Sequence, residues 1–241
     1  MKGMIFAAGL GTRLRPLTDH LPKALIEVGG VPQIDRVITR MREAGIDDIT
    51  VNVHHHADML EKHIRDNYGD VINISDERDA LLDTGGALVK ALPFLKGDEP
   101  ILLYNADIFS NFPIEEMAAA HTASGADATL LTSSRQTSRY LLFDAKGRMR
   151  GWRNMSTGEE RSPRPLAGTE IPLAFGGIHI IEPRLIERMA REHGQTKFSI
   201  TPFYIESCAE EDYRAFQPSD HYDWVDIGRP ETLAIACELA K

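Results

Sequence analysis

Over the first 107 residues, four short apolar runs alternate with three segments of helical period, and no other feature limits the fold as much. The runs are GMIFAA (3–8), ITVNV (49–53), VINIS (71–75) and PILLYNAD (100–107). Between the first two, VPQIDRVITRMREAG (31–45) repeats Ile34, Val37, Ile38 and Met41 at helical spacing and stops at Gly45. ADMLEKHIRDNYG (57–69) follows, then GGALVKALPFL (85–95), with Leu88 and Leu92 one turn apart. Strands joined through helices make crossover connections. The pattern therefore predicts an α/β fold with a mostly parallel sheet and helices on both faces.

After residue 125 the regularity loosens. ATLLTS, YLLF, RMRGW and FGGIHII are strand candidates, and DAKG (144–147) reads as a hairpin turn between two of them. Residues 154–170 form a polar loop carrying Gly and Pro, long enough to be functional. PRLIERMAREHG and PETLAIACELA each place Pro in the first turn of a helix. With neither a repeat nor a low-complexity tract, the expectation is one domain over 1–241. A regular half covers about 1–125, and a pocket-building half about 126–241.

Charge excludes some functions. A formal net charge of −9 is wrong for a nucleic-acid binder with a broad basic surface, so cations that meet an anion must do so locally. Cys208 and Cys237 lack metal-ligand spacing and read as free thiols of a cytoplasmic protein, with a single disulfide between them as the alternative. The N-terminal apolar run is too short for a signal peptide, and no run approaches the ~18 residues needed to cross a membrane.

The local cations are in AAGLGTRLRPLTDHLPKAL (7–25), directly after the first apolar run. A Walker loop would need G-x-x-x-x-G-K-[ST], which is absent; a dinucleotide fingerprint would need a third glycine where Leu14 stands. What remains is a strand, a tight glycine turn and fixed cations, with backbone amides and Arg13, Arg15 or Lys23 turned to phosphate. Two carboxylates draw attention. Asp107 follows a strand at its carboxyl end, where open α/β sheets bind ligands, and Asp226 sits in the apolar DWVDIG. His54, His55 and His56 point in different directions at a strand end and do not form a metal site. Asn105 shares a strand face with Asp107.

FAAGLGTRLRPLTDHLPKALIEV (6–28), with DTGGAL (83–88), NAD (105–107) and WVDIG (224–228) in order, resembles the sugar-1-phosphate nucleotidyltransferases, the nucleotide-sugar pyrophosphorylases. The resemblance implies a Rossmann-like fold with a smaller sugar-binding lobe. The implied reaction joins a nucleoside triphosphate to a sugar 1-phosphate and releases pyrophosphate. Ala8, Gly9, Gly11, Thr12 and Gly85 would contact the nucleotide. Arg13 would hold its outer phosphates, and Lys23 would lie between the two reacting phosphates. Asp107 and Asp226 would bind Mg²⁺, while Asn105 and Gly177 would meet the sugar. GWRNMSTGEE replaces the usual Glu-Lys-Pro stretch near the sugar, with Trp152, Arg153 and Asn154 as substitutes. In size the chain looks most like the muramate 1-phosphate uridylyltransferases, which favours UTP and an amino-sugar 1-phosphate. Heptose or mannose guanylyltransferases and phosphocholine cytidylyltransferases are the alternatives within reach of the motif, and a nucleotide-sensing regulatory subunit is the non-enzymatic one. Neither a nucleic-acid nor a membrane partner is expected, and the oligomeric state is not legible.

Overall fold

A computed structural model describes all residues from Met1 to Lys241. The regular half opens with β1 (Lys2–Phe6), a run of short 3-10 turns, a small hairpin of β2 (Glu27–Val28) and β3 (Val31–Pro32), and α1 (Gln33–Glu43). It continues through β4 (Ile49–Val53), α2 (Ala57–Tyr68), β5 (Ile72–Asp76), α3 (Asp83–Leu95) and β6 (Ile101–Asn105). The strands β5, β4, β1 and β6 lie side by side and all parallel. Side chains on a strand alternate between faces, so neighbours on β1 enter different cores. Met4 packs with α3 residues such as Leu88 and Ala91, whereas Ile5 packs with Ile34 and Ile38 of α1. Helices thus cover both faces.

Beyond Asn105 come β7 (Ile108–Ser110), α4 (Ile114–Ser124), β8 (Ala128–Ser133), β9 (Arg139–Phe143), β10 (Met149–Asn154), β11 (Glu160–Arg161) and β12 (Ile171–Ile181). The chain ends with α5 (Pro183–His193), α6 (Ile200–Ser207), β13 (Tyr213–Phe216), β14 (Trp224–Asp226) and α7 (Pro230–Leu239). Here the sheet turns antiparallel. β12 lies against β6, β8 and β9, and β10 and β11 continue beyond β9, so one ten-stranded sheet runs through both halves. The turn at 144–147 joins β9 to β10 as the sequence suggests, with Gly147 donating to the Asp144 carbonyl.

Some elements depart from the pattern. The polar stretch 154–170 is not all loop, because β11 pairs with β10 through Trp152 opposite Arg161. α4 and α6 escape the periodic reading because one is Ala-rich and the other apolar on most sides, burying Phe203, Tyr204 and Ile205 together. β12 changes register between Phe175 and His179, a bulge centred on Gly176 and Gly177. Both cysteines are free thiols, as expected; burial pushes Cys208 up to about 11, which keeps it protonated and unreactive. No helix is long and apolar enough to cross a membrane.

Candidate active site

Asp107 and Asp226 are 119 residues apart in the chain and adjacent in the fold. The cause is a short antiparallel ladder between β7 and β14, with Asp226 opposite Ile108. The Ile227 amide donates to the Asp107 carbonyl at 2.9 Å and closes the ladder. The Gly228 amide donates to Asp226 Oδ1 at 2.7 Å, which fixes that carboxylate.

Between the two carboxylates lies Lys23. Its ammonium donates to Asp107 Oδ2 and is 3.9 Å from Asp226 Oδ1, while Arg13 Nη2 is 3.7 Å from Asp226 Oδ2. The Lys23 side chain is only 11% exposed, so packing holds the charge in place; the carboxylates, at 29% and 38%, open to the cleft. Two carboxylates that converge on one ammonium define a cation position. The surroundings offer no cluster of three His, Cys, Asp or Glu that would close a cage around a metal. That donor set suits Mg²⁺, which takes one or two carboxylates and leaves its other positions to phosphate oxygens and water.

The cleft has two lobes that meet here. One, of about 280 Å³, is walled by Ala8, Gly9, Asn52, Asp83 and Lys197 at the carboxyl ends of the parallel strands. The other, of about 320 Å³, is walled by Phe175, Gly177, His179, Trp224 and Asp226. Thr84, Asn105 and Asp107 belong to both. Gly177 has φ +71°, and a Cβ there would come 2.8 Å from Asn105 Nδ2, so the bulge needs glycine to sit against that amide.

The expected site residues divide. Arg13, Lys23, Asp107 and Asp226 come together, and Ala8, Gly9, Asn105 and Gly177 line the lobes. Gly11 and Thr12 lie in the turn leading to Arg13. Gly85 packs against the segment that joins α5 to α6. Its amide donates to the Phe198 carbonyl at 3.0 Å, and a Cβ would come 2.2 Å from the edge of the Phe198 ring, so packing against that segment demands glycine. Its neighbours Asp83 and Thr84 face the cleft, and Asp83 accepts from the Thr84 amide at 2.7 Å. Arg15 pairs with Asp19 at 3.3 Å on the surface. Trp152 lines a hollow beyond the second lobe, whereas Arg153 pairs with Glu160 at 2.7 Å and Asn154 accepts from the Ser156 amide. His54 Nδ1 bonds the Glu77 carbonyl, and the three histidines form no metal cluster.

Other residues of the site are not in the sequence reading. Asn52 Oδ1 accepts the Ala7 amide at 2.7 Å, its Nδ2 donates to Glu77 Oε1 at 2.7 Å, and Glu77 Oε2 accepts the Leu82 amide at 3.1 Å. This buried relay ties the glycine turn to the start of α3, and burial raises the Glu77 carboxyl above the usual range. An Asn within ITVNV is the signal that could have found it. His179, polar within FGGIHII, is buried on the second lobe with both ring nitrogens unpartnered; burial lowers it to about 3, so the ring is neutral at pH 7.

Comparison with known proteins agrees on the type of molecule. A sequence model of the nucleotidyl transferase family matches residues 2–240. An N-acetylmuramate alpha-1-phosphate uridylyltransferase of Caulobacter vibrioides is 32% identical, over 99% of this chain and 96% of its own length. A mannose-1-phosphate guanyltransferase of Debaryomyces hansenii is 30% identical over 96% of this chain, which spans only 62% of that relative. Among solved structures, a Bacillus anthracis protein described as a glucose-1-phosphate thymidylyltransferase superposes with a TM-score of 0.82 at 19% identity, covering 100% of this chain and 95% of that one. HddC of Yersinia pseudotuberculosis, complexed with GMP-PN, gives 0.75 at 20% identity, over 100% of this chain and 99% of its own. At such identities the structures speak for the fold alone.

Proposed function

Since the chain belongs to the nucleotidyl transferase family and, like its relatives, is a sugar-1-phosphate nucleotidyltransferase, we propose that it uses UTP with N-acetylmuramate 1-phosphate or a related amino-sugar 1-phosphate, with Mg²⁺. The observation that carries the mechanism is Lys23, held between Asp107 and Asp226 where the two lobes meet. In this reading the first lobe takes the nucleotide and the second the sugar.

A phosphate oxygen of the sugar attacks the α-phosphorus of the nucleotide, and pyrophosphate leaves in line. That oxygen is ionised at neutral pH, so no general base is required; catalysis is positioning and charge neutralisation. Lys23 reduces the repulsion between the two reacting phosphates, and Arg13 receives the negative charge that grows on the departing pyrophosphate. Ala8 and Gly9 let the triphosphate lie against the backbone, with Lys197 as a further cation on the same wall. Asn105 and Gly177 border the sugar. Asp107 and Asp226 would hold Mg²⁺, which when bound offsets phosphate charge beyond what the two cations can.

The base and sugar assignments are supported by full-length similarity to the Caulobacter relative. Pyrophosphate release is to be measured for each nucleoside triphosphate against a panel of sugar 1-phosphates and phosphocholine. UTP with N-acetylmuramate 1-phosphate should give the highest kcat/KM. A preference for GTP with mannose 1-phosphate would overturn the substrate assignment and leave the reaction class standing. Nucleotide binding without pyrophosphate release from any pair would favour a regulatory protein.

A further inference from the structure

The second lobe does not end at Phe175. Past Arg135, Phe175, Ser199 and Thr201, which it shares, it opens into a hollow of about 420 Å³. Strand register builds the floor of this hollow. Leu141 on β9 faces Trp152 on β10, Trp152 faces Arg161 on β11, and Arg139, two residues before Leu141, points the same way. The start of α6 forms the opposite wall. Three arginines and several hydroxyls line the hollow, with no carboxylate among the lining residues, in a chain whose net charge is −9.

The arginines differ in how they are held. Arg161 pairs with Glu159 at 2.7 Å and lies 5.5 Å from the Trp152 ring. Arg139 has no carboxylate at ion-pair distance, and its guanidinium makes no hydrogen bond; its backbone amide donates to Thr137 Oγ1 at 3.5 Å. Arg135 is the most constrained. Its guanidinium stacks 4.1 Å over Trp224, and Nη2 donates to the Phe175 carbonyl at 2.8 Å. Its Nε is buried with no partner, and the guanidinium makes no ion pair, with Asp226 the main acidic group whose charge reaches it. Burial works against its charge, and no carboxylate is in contact to offset that. A preformed guanidinium with an idle donor, next to a second unpaired arginine in a concave surface, is complementary to a planar or tetrahedral anion.

We propose that this hollow receives a second anionic group carried by the sugar, away from its 1-phosphate, and that the enzyme thereby selects acidic sugar 1-phosphates. The inference rests on the sugar-1-phosphate reading and adds to it the residues that recognise the acid. The group is a carboxylate on a side chain of the sugar or a second phosphate; both offer oxygens that Arg139 and Arg135 can bind.

The test compares KM for N-acetylmuramate 1-phosphate, which carries a carboxylate, with KM for N-acetylglucosamine 1-phosphate, which lacks the lactyl ether that bears it, and for glucose 1,6-bisphosphate. The full chain is assayed by pyrophosphate release. An acidic sugar should have a KM at least tenfold below that of the neutral one, and Arg139→Gln should shrink that ratio at least tenfold, with Arg139→Lys restoring part of it. Arg161→Gln provides a second variant, and thermal melts check that each is folded. Preference for the bisphosphate would support the inference with phosphate as the source. A ratio near one in the wild-type protein, or a ratio untouched by both substitutions, would overturn it while leaving the sugar-phosphate reading intact. Failure to turn over any sugar phosphate would overturn that reading, and this inference with it.

Discussion

Glu77 has no place in the chemistry, yet the relay beneath the cleft depends on it. The residue is fully buried, and its two oxygens accept from Asn52 Nδ2 and the Leu82 amide. Glu77→Ala leaves both donors buried without an acceptor, each costing about 1–3 kcal/mol. Removing a desolvated carboxylate offsets part of this, so the net loss should be about 2–4 kcal/mol. In a protein of this size each kcal/mol lowers Tm by about 2–4 °C, which places the shift at roughly 5–15 °C. Glu77→Gln keeps the shape and one acceptor and should lose about half as much stability. The pH dependence is a sharper check. Burial raises the folded-state pKa of Glu77, so the folded protein holds this proton more tightly than the unfolded chain. The resulting stabilisation is complete below the unfolded value and is lost as pH rises through the folded one. The stability gap between wild type and Glu77→Gln should therefore widen from pH 7 toward pH 4 in urea melts followed by circular dichroism. A Glu77→Ala protein within about 0.5 kcal/mol of wild type, or a gap that narrows on acidification, would refute the reasoning.

Lys23→Met should lower kcat by about 10²–10³, the usual loss when one preorganised charge donor is removed, and near-normal turnover would take Lys23 out of the mechanism. Gly85→Ala should lose about 1–3 kcal/mol in urea melts because its Cβ meets the Phe198 ring. Gly9→Ala, whose Cβ meets open space, should melt like wild type but raise the KM for the nucleotide; equal stability of the two variants would contradict the packing argument. His179 has the opposite linkage to Glu77. Its folded pKa of about 3 lies below the usual 6.5, so its contribution is present above pH 6.5 and disappears as pH falls toward 3. Wild type should accordingly lose stability relative to His179→Phe over that window, and parallel pH profiles would show that the imidazole does not titrate as its burial requires.

The local pattern by itself determined the alternating half of the fold and the chemical character of the glycine turn. Strand and helix periods are properties of neighbouring residues, and the cations of 13–23 lie within one short segment. The pairing of Asp107 with Asp226 could be expected only from family motifs. Physically it comes from a three-residue ladder between β7 and β14, for which no local signal exists. Gly85 shows the converse. Its motif reads as a ligand contact, and the structure adds a packing demand from Phe198, more than a hundred residues away. The Asn52–Glu77 relay and the arginine-lined hollow were equally out of reach, because each joins strands and loops distant in the chain. Which polar groups end up buried, paired or left idle is a property of the packed molecule, since desolvation and hydrogen bonding depend on neighbours that only tertiary structure supplies.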